Sequence, residues 1–564
     1  MKKNWVVQSQ SIKLRDKISK SLNLNPITAQ VLINRGISNG EDAEYYLNSS
    51  LFDLPSPFLI KGMDKAVERI KKAIENKEKI AIYGDYDVDG VTATALFYNF
   101  LRSIDVNITY YNPERLKEGY GINTEAIRKL KSEGVSLIVS GDCGITAYDE
   151  VDMAKELGID FIITDHHKPP DDLPKAVSVL NPHQQDCLYP GKEITGVGVI
   201  FNLVIALRRS LRDSGFFKNN EPNLGDYLDL VALGTVADCA ELRNVNRIFV
   251  KEGLKRMQNP KGQGLRALKE ISSVNGEVSS FDLGFKLGPR INASGRLSSA
   301  KTSVDLFISE DIEEARKIAR DLNIKNLDRQ GIEGKIFAEA VSRIDTNPSF
   351  ASSKSIILAS GDWHQGVIGI VASRLVDRYR TPAFLIAVDK EGNGKGSGRS
   401  IKGVNIYEVL NECQDILEQF GGHELAAGIT IREENIEKFT SMFDKAVGSI
   451  SLDLEQEIMI DASVDLDDIN ELFVHELNKL EPFGIGNPEP VFITESVDIV
   501  SSRSFKDRHL GLKIKSGSRI LDAIWFNCTG NRSVPEVADI VYTPEFNNWN
   551  GNMGLRLRLI DIDF

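Results

Sequence analysis

Three aspartates, Asp85, Asp87 and Asp89, alternate directly behind the apolar run Ile80-Ala81-Ile82. A short apolar run of this kind reads as a buried strand. Three carboxylates crowded at its end repel one another unless cations or a hydrogen-bond network offset the charge. The arrangement recurs along the chain: Asp142 follows the run 136–140, Asp165-His166-His167 follow 161–164, and Asp238 follows the apolar stretch 228–236. Strand-like runs alternating with amphipathic stretches predict a parallel, doubly wound sheet, and such sheets hold ligands beyond the carboxyl ends of their strands. Four strand ends are therefore expected to bring carboxylates and imidazoles to one rim. A single Asp after a strand is usually a helix cap, but four such ends in order point to a metal centre.

Oxygen donors mixed with imidazole suit Mn²⁺ or Mg²⁺ better than structural zinc, which favours thiolates. Two such ions, roughly 3.5–4 Å apart, stabilise the attacking and leaving oxygens of a phosphoryl transfer. The five cysteines, at 143, 187, 239, 413 and 528, are odd in number and lack CxxC spacing. That speaks against structural zinc and disulfides and fits a reducing cytoplasm. Cys143 and Cys239, beside two of the candidate ligands, are expected to be small buried packing residues.

A chain of 564 residues should hold several domains. Its net charge of −13 argues against a uniformly basic nucleic-acid binder, although a metal-lined cleft can be positive inside an acidic shell. The N-terminus lacks the apolar core of a signal peptide, and no apolar run approaches a membrane span. The expected divisions are a helical leader (1–55), the metal-bearing α/β domain (56–300), a long linking helix (301–345) capped by Ser309, a second α/β domain (346–450) and a small β-rich domain (451–564).

Gly84-Asp-Tyr-Asp-Val-Asp-Gly90, Gly141-Asp-Cys-Gly144, Asp165-His-His167 and Gly234-Thr-Val-Ala-Asp238 resemble the four motifs of the DHH phosphoesterase superfamily. Supporting segments are Glu118-Gly-Tyr-Gly121, Asn181-Pro-His183, Thr195-Gly-Val-Gly198, Gly288-Pro-Arg-Ile-Asn-Ala-Ser-Gly-Arg296, Gly396-Ser-Gly-Arg-Ser400, Gly421-Gly-His-Glu-Leu-Ala-Ala-Gly428 and Pro482-Phe-Gly-Ile-Gly-Asn-Pro488. With these, the chain is most similar to the superfamily's bacterial single-strand-specific 5′→3′ DNA exonucleases. The resemblance implies a DHH parallel-sheet domain joined by a long helix to a DHHA1 α/β domain, plus a C-terminal OB-like β-barrel. It also implies Mn²⁺ or Mg²⁺, as two ions, on Asp85, Asp87, Asp142, His166 and Asp238, with Asp142 bridging and Asp89 and His167 completing the catalytic set. Many superfamily members carry His where this chain has Tyr83, which makes Asp85 a candidate replacement.

The same resemblance places nucleic-acid or phosphate contacts on Arg115, Arg290, Asn292, Arg296, Ser397, Arg399 and His423. Arginine suits that task because its planar fork donates paired hydrogen bonds to phosphate. In the β-rich tail, Trp525, Phe526, Trp549, Arg503, Lys506, Arg508, Arg556 and Arg558 supply stacking and charge for a single strand. The implied activity is release of 5′-mononucleotides from single-stranded DNA in repair and recombination, with a single-strand-binding protein and a helicase as partners and no membrane. Two other readings are a DHH phosphoesterase of short oligoribonucleotides or cyclic dinucleotides, and an inactive single-strand-binding scaffold. The OB-like tail speaks against the first, and the complete set of later ligands against the second.

Overall fold

The computed structural model describes residues 4–114, 118–119, 121–218, 220–450, 457–505, 509–528, 534–549 and 552–563. The first α/β unit is built on five parallel strands in the order Ile108–Tyr111, Lys79–Gly84, Val135–Gly141, Asp160–Thr164, Ser178–Leu180. Period-two alternation divides the side chains between two cores. Ile80, Ile82, Leu137 and Val139 pack under the helices Val88–Arg102 and Gly196–Asp213. Ala81, Tyr83, Ile138 and Phe161 pack under Thr124–Ser132 and Tyr148–Glu156. Both faces are covered, so the strand centres are largely apolar, and the acidic residues and histidines of the rim follow the carboxyl ends.

The linking helix is shorter at its start than expected. Lys301–Ile308 is a separate helix, and the linker proper is Ile312–Thr346, 35 residues and about 50 Å long. Asp311 caps it through the Glu314 amide, while Ser309 ends the preceding helix. It leads to a five-stranded sheet in the order Gln419–Gly422, Ala426–Arg432, Asn393–Arg399, Ala383–Val388, Ile356–Ser360. Helix Ile368–Tyr379 and the end of the linker cover one face, and helix Ile436–Gly448 covers the other.

The C-terminal unit is a closed barrel of Phe492–Phe505, His509–Ser516, Arg519–Trp525, Asn552–Asp563 and Val537–Trp549, the last strand pairing back onto the first. Closure leaves no free sheet edge. The N-terminal segment carries three helices, Ile12–Leu22, Pro26–Asn34 and Gly40–Asn48, and packs on the C-terminal unit. Residues 4–7 form a strand paired in parallel with Glu457–Ile460, and Ile18, Ala29, Val31 and Leu32 share one core with Phe473, Phe492 and Tyr542 of the barrel unit. Arg35 pairs with buried Asp461 at 2.9 Å, and the Trp5 indole donates to Asp561 at 3.0 Å. Arg247 of the first unit, itself buried, donates to the carbonyls of Tyr46, Lys479 and Leu480 and so joins all three segments. Among the described residues no helix is long and apolar enough to cross a membrane.

Candidate metal centre

Asp85 follows its strand directly, and Asp87 caps the next helix by accepting the Gly90 amide at 3.0 Å. Asp142 follows Val135–Gly141 in a left-handed backbone conformation, φ 66°. A non-glycine residue in that region is uncommon and, beside a polar cluster, points to function. Asp165, His166 and His167 follow Asp160–Thr164. Asp238 does not end a strand. It caps the C-terminus of helix Leu228–Ala237, which is buried almost all round and so lacks a polar stripe in its sequence.

These residues form three overlapping groups whose donor atoms lie within 4.8 Å of one another: Asp85, Asp87 and Asp142; Asp142, His166 and His167; Asp89, His166 and Asp238. Asp142 and His166 each belong to two of them. His166 Nε2 lies 3.1 Å from Asp142 Oδ1, 3.8 Å from Asp238 Oδ2 and 3.9 Å from Asp89 Oδ2. Asp142 Oδ1 is buried and accepts no hydrogen bond.

Burial, then the neighbouring carboxylates Asp89, Asp87, Asp85 and Asp238, push the Asp142 carboxyl well above its ordinary range. Burial and the same crowding push Asp238 up to about 8 and Asp89 up to about 7. Burial and the neighbouring His167 hold His166 down at about 4, leaving its ring neutral and able to ligate. An oxygen-rich set with a neutral imidazole and an orphaned buried carboxylate oxygen is what Mn²⁺ or Mg²⁺ would complete.

Asp89 is held differently. Its oxygens accept the Gly196 and Val197 amides at 2.6 and 2.9 Å, at the N-terminus of helix Gly196–Asp213. A Cβ at Gly196 would lie 2.5 Å from the Asp142 Cβ, so only glycine lets this helix end reach the site. Sequence reasoning gave Asp165 no separate role, yet it positions the pair of histidines. It accepts the amides of Ile145, His166 and His167, and its Oδ1 lies 2.7 Å from His167 Nδ1. Burial opposes the His167 cation, and Asp165's hydrogen bond and charge overcome it, taking the ring to about 9. A carboxylate held on one ring nitrogen fixes the orientation of the imidazole. The chain signal was present: Asp165 is the one acidic residue next to both histidines.

Tyr83 turns away from the metal rim. Its hydroxyl donates to Gly121 O at 3.1 Å, accepts from the Asn123 amide group and leaves the ring stacked on Tyr111. Cys143 is buried as expected, but Cys239 is exposed, because the chain leaves the helix there with φ 60°.

Of the phosphate candidates, Arg296, Ser397 and Arg399 line one cavity of about 460 Å³ between the two α/β units, with Lys395, the carboxylate-bearing Glu118, Gly119, Gln365, Gly366 and Gly369. Arg399 Nη1 donates to Ser397 Oγ at 3.2 Å, and Arg296 Nη1 to Gly366 O at 3.3 Å. The N-terminus of helix Ile368–Tyr379 opens into this cavity, an anion-favouring feature missed in the sequence. Its signal was His364-Gln-Gly-Val-Ile-Gly369, in which His364 Nδ1 accepts the Gly366 amide. The cavity adjoins the metal rim: Gly295 packs against Tyr86 O, between Asp85 and Asp87.

Arg290 braces instead, donating to Asn323 Oδ1 and Lys286 O, and Asn292 is half-buried on the same helix. His423 is exposed at a hairpin end and does not line the cavity. Arg115, Lys506, Arg508 and the side chain of Trp549 lie outside the described residues. On the barrel, Arg556 and Arg558 pair with Glu545, and Phe526 is exposed beside His509.

Residues 79–235 match the DHH family, N-terminal domain; 352–449 match the DHHA1 domain; 460–561 match the RecJ OB domain. The single-stranded-DNA-specific exonuclease RecJ of Bacillus subtilis is 37% identical over 99% of this chain and 71% of its own length. The Salmonella typhimurium enzyme of the same name is 36% identical over 96% of both chains. The crystal structure of Thermus thermophilus RecJ in complex with Mn²⁺ covers all of this chain and 79% of its own, with a TM-score of 0.86 at 29% identity. Its complex with Mg²⁺ gives a TM-score of 0.80 at 27% identity, covering 99% of this chain and 78% of its own. Together with the shared domain order, these matches show that the chain belongs to the RecJ family of single-stranded-DNA-specific exonucleases.

Proposed function

We propose that this chain is a metal-dependent exonuclease that removes 5′-mononucleotides from single-stranded DNA in repair and recombination. The observation that carries it is the junction between metal rim and anion cavity. Gly295 abuts the Asp85–Asp87 loop, and the next residue, Arg296, lines the cavity with Ser397 and Arg399. A terminal 5′-phosphate seated there leaves the following phosphodiester beside the carboxylates, so each cut releases one nucleotide.

Asp85, Asp87, Asp142, His166 and Asp238 would hold the cations, with Asp142 belonging to two of the three donor groups. Bound Mn²⁺ or Mg²⁺ supplies Lewis acidity to the attacking water and to the phosphate oxygens. Asp89 anchors the helix end against the rim, and Asp165 orients His167. Arg296 and Arg399 bind and orient the strand end, which counts because a fixed reactive geometry removes much of the entropic barrier. The enzyme acts on single strands, so duplex is opened by a helicase, and single-strand-binding protein presents the product strand. The reading places the enzyme in the cytoplasm.

Incubating 5′-labelled single-stranded DNA, matching duplex and matching RNA with Mn²⁺, Mg²⁺ or EDTA tests this proposal. Metal-dependent digestion of the single-stranded DNA is expected. Equal digestion of duplex, or no digestion with either metal, would overturn it.

A further inference from the structure

Two phenylalanines near the metal rim are exposed to an extent that the fold does not explain. Phe281 is 59% and Phe285 71% exposed, yet their rings stack on each other at 4.7 Å and 24°. Phe285 lies in the π-helical turn Asp282–Leu287, and Phe281 immediately precedes it. Such turns cost hydrogen-bond geometry and are frequent at functional sites.

This turn leads into the metal centre. Gly284 packs against Val236, and Gly288 packs against Ala237 and Val88, the neighbours of ligands Asp238 and Asp87. At the other end, Ser280 Oγ donates to the carbonyl of Phe483, in the loop that enters the barrel unit. That loop returns to the rim: Leu242 N donates to Ile485 O at 2.7 Å, and Arg243 Nε to Gly486 O at 2.8 Å. Ile485 is 52% exposed. The apolar surface therefore sits between the Asp238 end of the rim and the barrel unit.

We propose that Phe281 and Phe285 form a stacking platform for bases of the single strand a few nucleotides behind the reacting phosphodiester. The proposal rests on the exonuclease reading above and adds a binding element that contacts bases rather than phosphates. Flat aromatic faces accept every base, so the platform gives grip without sequence preference. Paired bases present only their terminal stack, so the same contact favours single strands over duplex.

The test is anisotropy in EDTA with a 3′-fluorescein dT oligonucleotide of about 20 nucleotides, comparing wild type, F281A/F285A and F281Y/F285Y. A second series places one abasic site at each of the first several nucleotides. Loss of about tenfold or more in affinity is expected for the alanine pair, and near wild-type affinity for the tyrosine pair. At one or more positions the abasic site should weaken wild type by about fivefold or more and the alanine pair hardly at all. The abasic penalty is measured within each protein, so it does not depend on matched stability. Equal penalties in both proteins, or unchanged affinity of F281A/F285A, would overturn the platform. Failure of wild type itself to bind and digest the strand in Mn²⁺ would instead overturn the exonuclease reading.

Discussion

His166 Nε2 faces Asp142 Oδ1 across 3.1 Å, and neither the ring nor any other group donates a hydrogen bond to that buried oxygen. Two ligand atoms this close that do not bond each other have the spacing of neighbouring ligands on one cation. Around them Asp85, Asp87, Asp89 and Asp238 add to the negative charge. The unliganded centre is thus a source of instability that metal binding relieves.

Replacing Asp142 by Asn tests that trade directly, since Asn also tolerates the left-handed backbone. In EDTA, D142N should be more stable than wild type by on the order of 1 kcal/mol, read as a higher melting midpoint. In Mn²⁺ the advantage should vanish. Hydrolysis should fall by about 10³-fold or more while single-strand affinity stays within about threefold.

Much of the centre was legible because each of Asp85, Asp142 and His166 follows a short apolar run in a chain of regular alternation. Asp238 was legible as a ligand and not in its setting. Helix Leu228–Ala237 is buried on nearly all sides, and apolar residues at every position erase the difference between periods of two and 3.6. The union of residues 4–50 with the barrel could not be read locally. Its contacts, such as Arg35 with Asp461, join positions more than four hundred residues apart. Arg290 and Arg296 look alike in sequence, and only packing shows that one braces the linking helix and the other lines the cavity.

The anion cavity predicts a dependence on the strand end. R399A should weaken binding of 5′-phosphorylated single strands by about tenfold or more, the scale of a charge-assisted hydrogen bond. It should cost 5′-hydroxyl strands much less. KM measured on both substrates checks this, and equal losses would place Arg399 outside the terminal-phosphate contact.

Arg247 satisfies three carbonyls from two segments, those of Tyr46, Lys479 and Leu480. R247A leaves those acceptors buried and should destabilise the protein by about 2–4 kcal/mol. Denaturant titration followed by tryptophan fluorescence would register the loss, with Trp5 reporting the N-terminal segment.

Asp229 gives the pH dependence of stability away from the metal rim. Burial pushes its carboxyl up to about 7 against an unfolded value near 3.9. The folded state therefore retains a proton that the unfolded chain releases. Stability from this group is fully present below about pH 4 and is lost as pH rises through about 7. D229N can still accept the Leu230 amide and carries no charge. Its midpoint should exceed wild type's at pH 8, by on the order of 1–2 kcal/mol, and the gap should close towards pH 4.5.

The most direct measurement follows both ends of one strand. Single-stranded DNA carrying a label at its 5′ or its 3′ end is digested in Mn²⁺, and products are sized over time. The 5′ label should appear at once as mononucleotide while the 3′ label passes through steadily shorter fragments. Early release of the 3′ label as mononucleotide, or internal cuts from the first time point, would contradict it.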